Sequence, residues 1–134
     1  MSTDRPVFGT VGFYQAMADA LNSDPTWLEM ATPITYTMIY RYEPPIDKAF
    51  FIRFEEGKIT EVTELASPDA RPADFVISGE PASWQGVLQK TINPTVAMAT
   101  GKLKVQGKQT VLLRHMKRFT YLIDKMTTLD PVYA

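Results

Sequence analysis

The stretch KQTVLLRHMKRFTYLIDKMTTL, residues 108–129, decides how the rest of the chain is read. Placed at about 100° per residue with Val111 as zero, Val111, Leu112, Met116, Phe119, Leu122, Ile123, Met126 and Leu129 all fall within an arc of about 140°. Arg114, Lys117, Arg118, Thr120, Asp124 and Lys125 take the remaining arc. One face is oily and the other wet, which predicts one long amphipathic helix lying on a sheet. The plain role of such a stripe is core packing; the functional one is that part of it lines a cavity open to a lipid tail. Met116 and Met126 suit the second role, because thioethers adapt to guests of variable shape. His115, the chain's only histidine, projects at about 40° on the same scale, inside the oily arc. Its ordinary fate there is a core group with one hydrogen bond, and the alternative is contact with a polar ligand head group.

Working back from that helix, Leu103 and Val105 alternate with Lys102, Lys104 and Gln106, the pattern of a half-buried strand whose lysines guard an edge. Asn93-Pro94 opens one or two helical turns through Val96, Ala97 and Met98 that stop at Gly101. Pro81 opens a helix to about residue 90 carrying Trp84, Val87 and Leu88. Residues 74–79 form a short strand, preceded by a proline-containing loop at 67–73. Three strand-like runs stand upstream, at 34–42, 49–55 and 58–64. In the first, alternation places Tyr36, Met38, Tyr40 and Tyr42 on one face. In the second it places Phe50, Ile52 and Phe54 on one face, with Phe51, Arg53 and Glu55 on the other. Glu56-Gly57 turns the second run into the third, so the three read as an antiparallel meander. Two helices lead the chain, at 11–22 with Phe13, Met17, Ala20 and Leu21 on one side, and at 26–31 behind the cap Ser23-Asp24-Pro25.

The sequence has 134 residues, 45% of them apolar, with 14 Lys and Arg against 15 Asp and Glu. Such a length fits one domain, and near-neutrality withholds the electrostatic footprint of most nucleic-acid binders. The absence of cysteine excludes disulfides, a thiol nucleophile and thiolate metal sites, and one histidine cannot build a His-rich metal cluster. No run reaches the roughly 18 apolar residues of a membrane span. The polar start, with no secretory segment behind it, and the lack of a Ser-Lys-Leu tail predict a cytoplasmic protein. Ser78-Gly79 and Ser83 lack the esterase elbow. The glycines at 101 and 107 are wrongly spaced for a phosphate loop and enclose a strand.

Taken together, Asp74-Phe75-Val76-Ile77-Ser78-Gly79, Trp84 to Leu88, Asn93-Pro94, Met98, Gly101-Lys102-Leu103-Lys104-Val105 and Gly107 resemble the sterol carrier protein type-two family. The resemblance implies an α+β fold: a five-stranded, mixed but mainly antiparallel sheet, covered on one side by helices, enclosing an apolar tunnel, with a long C-terminal helix. It implies non-catalytic binding or transfer of a fatty acid, acyl-CoA, sterol or related lipid, with no cofactor and no metal. Matched positions nominate Trp84 and Met98 from the middle helices, Leu103 and Val105 from the last strand, and Leu112, Met116, Phe119 and Ile123 from the final helix. Two other classes stay open. One is an interaction or scaffold module assisting an enzyme of lipid or quinone metabolism, its tunnel plugged by Phe50, Phe54, Phe75 and Trp84, with a homodimer or an enzyme as partner. The other is a small isomerase using Tyr36 or Tyr40 with a buried acid.

Overall fold

The structure, a computed structural model, describes residues 5–67, 69–107 and 109–133. The polar start at residues 1–4, Pro68 of the expected loop, the helix start expected at Lys108 and the terminal Ala134 lie outside them. In chain order the elements are α1 (Val11–Asn22), α2 (Pro25–Met30), β1 (Thr37–Tyr42), β2 (Lys48–Glu55), β3 (Lys58–Leu65), β4 (Phe75–Gly79), α3 (Pro81–Leu88), α4 (Pro94–Thr100), β5 (Leu103–Gly107), α5 (Gln109–Arg114) and α6 (Met116–Thr128). Two helices start by the same device. Asp24 Oδ1 accepts from the N–H groups of Thr26 at 3.0 Å and Trp27 at 3.4 Å, and Asn93 Oδ1 from those of Thr95 at 2.8 Å and Val96 at 3.2 Å. A proline follows each cap, at a position whose missing N–H would have had no helical partner.

The sheet order is β3-β2-β1-β4-β5. β1, β2 and β3 form the expected antiparallel meander, and β5 pairs antiparallel with β4. β4 lies parallel to β1. A parallel neighbour cannot be reached by a hairpin, and residues 66–74 carry the chain from β3 to the far side of β1. The crossing is pinned at its end: Asp74 Oδ2 accepts from the N–H of Thr37 at 2.8 Å, and the Asp74 N–H donates to Thr37 Oγ1 at 3.0 Å. Along the way Arg71 stacks over the Phe51 ring, 3.8 Å from its centroid, and pairs with Glu61. The outer sheet face is therefore partly closed. Phe51 and Ile39 are each 1% exposed in a small second cluster with Ala49 and Leu65.

Between β2 and β3 Glu56 and Gly57 have φ of 49° and 84°, the left-handed pair that a two-residue hairpin turn requires. Gly57 has a second reason to lack a side chain, since a Cβ there would sit 2.8 Å from the Ala31 carbonyl oxygen. The turn is docked on α2, with Trp27 Nε1 donating to the Gly57 carbonyl at 2.8 Å.

The helices cover the other face, where Tyr40, Tyr42, Phe50 and the other inward residues meet Tyr14 of α1 and Trp84 of α3. Tyr14 stacks on Phe50 at 4.8 Å and on Tyr40 at 5.3 Å; Trp84 stacks on Tyr42 at 5.2 Å. Every polar handle in this stack is used. The Tyr14 and Tyr42 hydroxyls lie 2.7 Å apart, Tyr40 donates to the Met38 sulfur, and Trp84 Nε1 donates to the Arg41 carbonyl at 3.0 Å. Such ring pairs add about 0.5–1.5 kcal/mol each beyond the area they bury. On α1, Tyr14 and Ala18 are buried beside the expected Phe13, Met17 and Leu21, while Ala20 is only half-buried.

The expected single C-terminal helix is divided. His115, at φ −101° and ψ 18°, separates α5 from α6, and its N–H is shared between the Val111 and Leu112 carbonyls at 3.2 and 3.0 Å. α6 keeps the amphipathic face, burying Phe119, Leu122, Ile123 and Met126. On α5, Leu112 is buried and Leu113, which lies outside the oily arc, is 63% exposed, while Val111 at the edge of the arc is half-buried.

Asp24 ties the start of α2 to α6 within the helical layer, and Glu61 ties Arg71 to the outer sheet face. Lys125 at 2.9 Å and the Tyr121 hydroxyl hold the Asp24 carboxyl down at about 2, below its ordinary 3.8. The guanidinium of Arg71, with the Thr63 hydroxyl, holds Glu61 at about 2, below 4.5. Both bind fewer protons folded than unfolded, so the stability they add is complete above their ordinary values and drains as pH falls through about 2. Thermal unfolding followed across that window should show a steep acid loss. Asp24→Asn, which keeps the cap, should flatten it.

Candidate functional site

The largest apolar opening lies at the β5 edge of the sheet, where α4, β5 and the α5–α6 corner meet. It is a groove of about 470 Å³. Met98 comes from α4, Leu103 and Val105 from the inward side of β5, and Leu112 and Met116 from the two sides of the helix break. These are five of the eight residues nominated from the sequence. The other three are elsewhere. Trp84 is fully buried in the ring stack, Phe119 is 3% exposed in the core, and Ile123 borders a smaller hollow against Val87 and Pro94. The described residues thus form one apolar groove at this edge.

Thr95, Ala99 and Leu113 also line it and were not nominated. A signal for the first two exists in the sequence, since Thr95, Met98 and Ala99 stand at i, i+3 and i+4 and share one face of α4. None exists for Leu113, which lies outside the oily arc of the helical wheel. At its far end β5 closes tightly on β4. Gly107, at φ +119°, leaves room for the Asp74 carbonyl oxygen, which an added Cβ would approach to 2.2 Å.

Behind α5 a second hollow of about 370 Å³ is bordered by Tyr36, Phe75, Val111 and His115. The His115 Nδ1 lies 3.1 Å from an Arg118 guanidinium nitrogen, and Arg118 also donates to the Met30 carbonyl. Facing a guanidinium, Nδ1 acts as acceptor. Burial, then the nearby charges of Arg118 and Arg114, pull the imidazole below its ordinary 6.5. Burial pushes the Tyr36 hydroxyl up to about 12 against a small opposing pull from Arg118, and pushes Tyr40 well above its usual range. Both phenols therefore stay protonated. No Asp or Glu among the described residues is buried with them. Among the described residues no group of His, Asp and Glu could hold a metal ion, and no helix is long and apolar enough to cross a membrane.

Residues 20–119 match the model of the SCP-2 sterol transfer family. The fold recurs in a crystal structure of sterol carrier protein 2, with a TM-score of 0.80 and 21% identity over 89% of this chain and 96% of that one. It recurs in a conserved protein of Thermus thermophilus described as a candidate sterol carrier protein, with a TM-score of 0.79 and 21% identity over 99% and 96%. A more distant likeness is to the ubiquinone synthesis protein UbiJ-SCP2, at 0.55 and 18% over 86% and 92%. No curated protein sequence matches the chain.

Because the chain has one histidine, a proton NMR titration reads it without assignment. Its midpoint should lie below 6.5, and Arg118→Gln should move it upward without restoring the ordinary value, since burial remains.

Proposed function

Since the chain belongs to the SCP-2 sterol transfer family, we propose that it binds and carries a hydrophobic ligand, a fatty acid, acyl-CoA, sterol or related lipid, in the groove between α4, β5 and α5 without changing it covalently. The single observation behind this reading is that Met98, Leu103, Val105, Leu112 and Met116 surround one apolar groove of about 470 Å³. That volume lies within the range of about 300–1,000 Å³ typical of small-ligand sites. Each methylene removed from water contributes about 0.8 kcal/mol, so a sixteen-carbon tail gains on the order of 10 kcal/mol before ordering costs when fully covered. Apolar walls suffice for useful affinity. Met98 of α4 and Met116 of α6 both line the groove and let it accept tails of different shape. Trp84, Phe119 and Ile123 belong to the core and do not line the groove.

A second reading is favoured by the filled interior. Phe50, Phe54, Phe75 and Trp84 are each at most 2% exposed in the main core, which suits a scaffold that assists an enzyme of lipid or quinone metabolism. The neighbour described as a ubiquinone synthesis protein points the same way. Native mass spectrometry of the freshly isolated protein separates the two: carriage leaves a retained apolar molecule, a scaffold leaves a stoichiometric protein partner and no ligand.

The groove itself is tested by filling it. Val105 is half-buried at its wall, so Val105→Trp should leave the melting temperature nearly unchanged while weakening a fluorescent fatty-acid analogue by about tenfold or more, a loss of roughly 1.4 kcal/mol. Unchanged, competable binding in that variant would place the ligand elsewhere.

A further inference from the structure

The hollow behind α5 and the apolar groove share a border. Leu103, Val105 and Gly107 follow one another along the inward side of β5; the first two wall the groove and the third borders the hollow, about 7 Å beyond Val105. The helical corner repeats the arrangement. Leu112 and Met116 line the groove, while Val111 and His115, each one residue earlier, line the hollow. The two spaces differ in chemistry. Among the described residues the groove has one charged side chain, Lys104, which stands on the outward side of β5 and also borders the cleft that holds Glu43 and Glu80. The hollow brings together Tyr36, Asp74 and His115 against Phe75 and Val111. The Tyr36 ring lies 5.1 Å from that of Phe75 and 6.0 Å from the imidazole, edge-on to each. The three polar groups keep unused capacity. Asp74 Oδ2 accepts from Thr37, leaving Oδ1. His115 Nδ1 accepts from Arg118, so the neutral ring carries its proton on Nε2. Among the described residues nothing bonds to that Nε2, to the Tyr36 hydroxyl or to Asp74 Oδ1.

Two neutral donors and a carboxylate acceptor around one space fit a head group that accepts and donates at a single atom, as a hydroxyl does. An ionised carboxylate only accepts, and it would add a second negative charge beside Asp74. Arg118, the cation that touches His115, is already bonded to the Met30 carbonyl and to Nδ1. We propose that the hollow of Tyr36, Asp74 and His115 is a head-group subsite that selects a hydroxyl-bearing guest over an ionised fatty acid or acyl-CoA, its tail lying in the groove. Tyr36 and His115 donate to the guest's oxygen, and Asp74 Oδ1 accepts from its O–H, which completes the hydrogen bonding of one hydroxyl. The assignment rests on the carriage reading and narrows it to one class of guest.

The test displaces a fluorescent fatty-acid analogue from the full chain at neutral pH with three guests of one chain length: 1-decanol, its methyl ether and decanoate. The ether is uncharged and the more hydrophobic, yet it cannot donate to Asp74. Decanol should displace the probe at about fivefold lower concentration than either of the others, the worth of one hydrogen bond. It should also shift the ring-proton NMR signals of His115, the chain's only histidine. Asp74→Asn, whose amide oxygen still accepts from Thr37, should bring decanol level with the ether. Tyr36→Phe, which keeps the ring contacts, should weaken decanol and ether alike. Both variants should hold the parent's melting temperature, and the three guests on the parent protein decide the matter if either variant does not. Displacement in order of hydrophobicity, ether first, or His115 signals indifferent to decanol would overturn the subsite and leave carriage standing. No saturable uptake of the probe would remove carriage, and the subsite with it.

Discussion

The stacked rings of Tyr14, Tyr40, Tyr42, Phe50 and Trp84 hold the helical layer to the sheet, and the position of everything else follows from them. Large flat side chains satisfy several demands at once. They bury much apolar area, they prefer defined mutual angles, and their hydroxyl or N–H groups bond to one another, to the Met38 sulfur and to the Arg41 carbonyl. A core packed in this way has little room to spare in its centre. The apolar groove lies away from these rings, at the β5 edge of the sheet.

At that edge the chain changes from a packed layer to a lid. α6 lays a continuous oily face on the core, while α5, turned aside at His115, presents Leu112 to the interior and Leu113 to solvent. The break separates two hollows, an apolar one toward Met98 and Leu103 and a more polar one toward Tyr36 and His115.

Much of this was legible in local pattern. Asp24-Pro25 and Asn93-Pro94 declare helix starts because a side-chain oxygen and a missing N–H act within three residues. Period-two alternation put Tyr40 and Tyr42 on one face of β1 and Phe50 and Phe54 on one face of β2, since neighbouring side chains on a strand must point opposite ways. Of the candidate site, the residues on β5 and at Met98, Leu112 and Met116 could be nominated. Leu113 could not, because it lies outside the oily arc, where a side chain is expected to face water, and only the packing of α5 beside α4 and β5 sets it at a groove wall. Phe51 was equally opaque: alternation sets it on the outer face, and the small cluster there together with the return of Arg71 across that face buries it.

The sequence by itself determined the order and approximate places of the helices and strands, which way most of their side chains face, and that neither thiol chemistry nor a cluster of histidines is available. Those are matters of a few bonds between near neighbours. Only the tertiary structure decided that β4 lies parallel to β1, that the last helix breaks at His115, and that Met98, Leu103, Val105, Leu112 and Met116 meet around one groove at the sheet's edge. Each of these depends on contacts between residues distant in the chain. Their energies are settled by how the whole set of rings, strands and connections fills one volume.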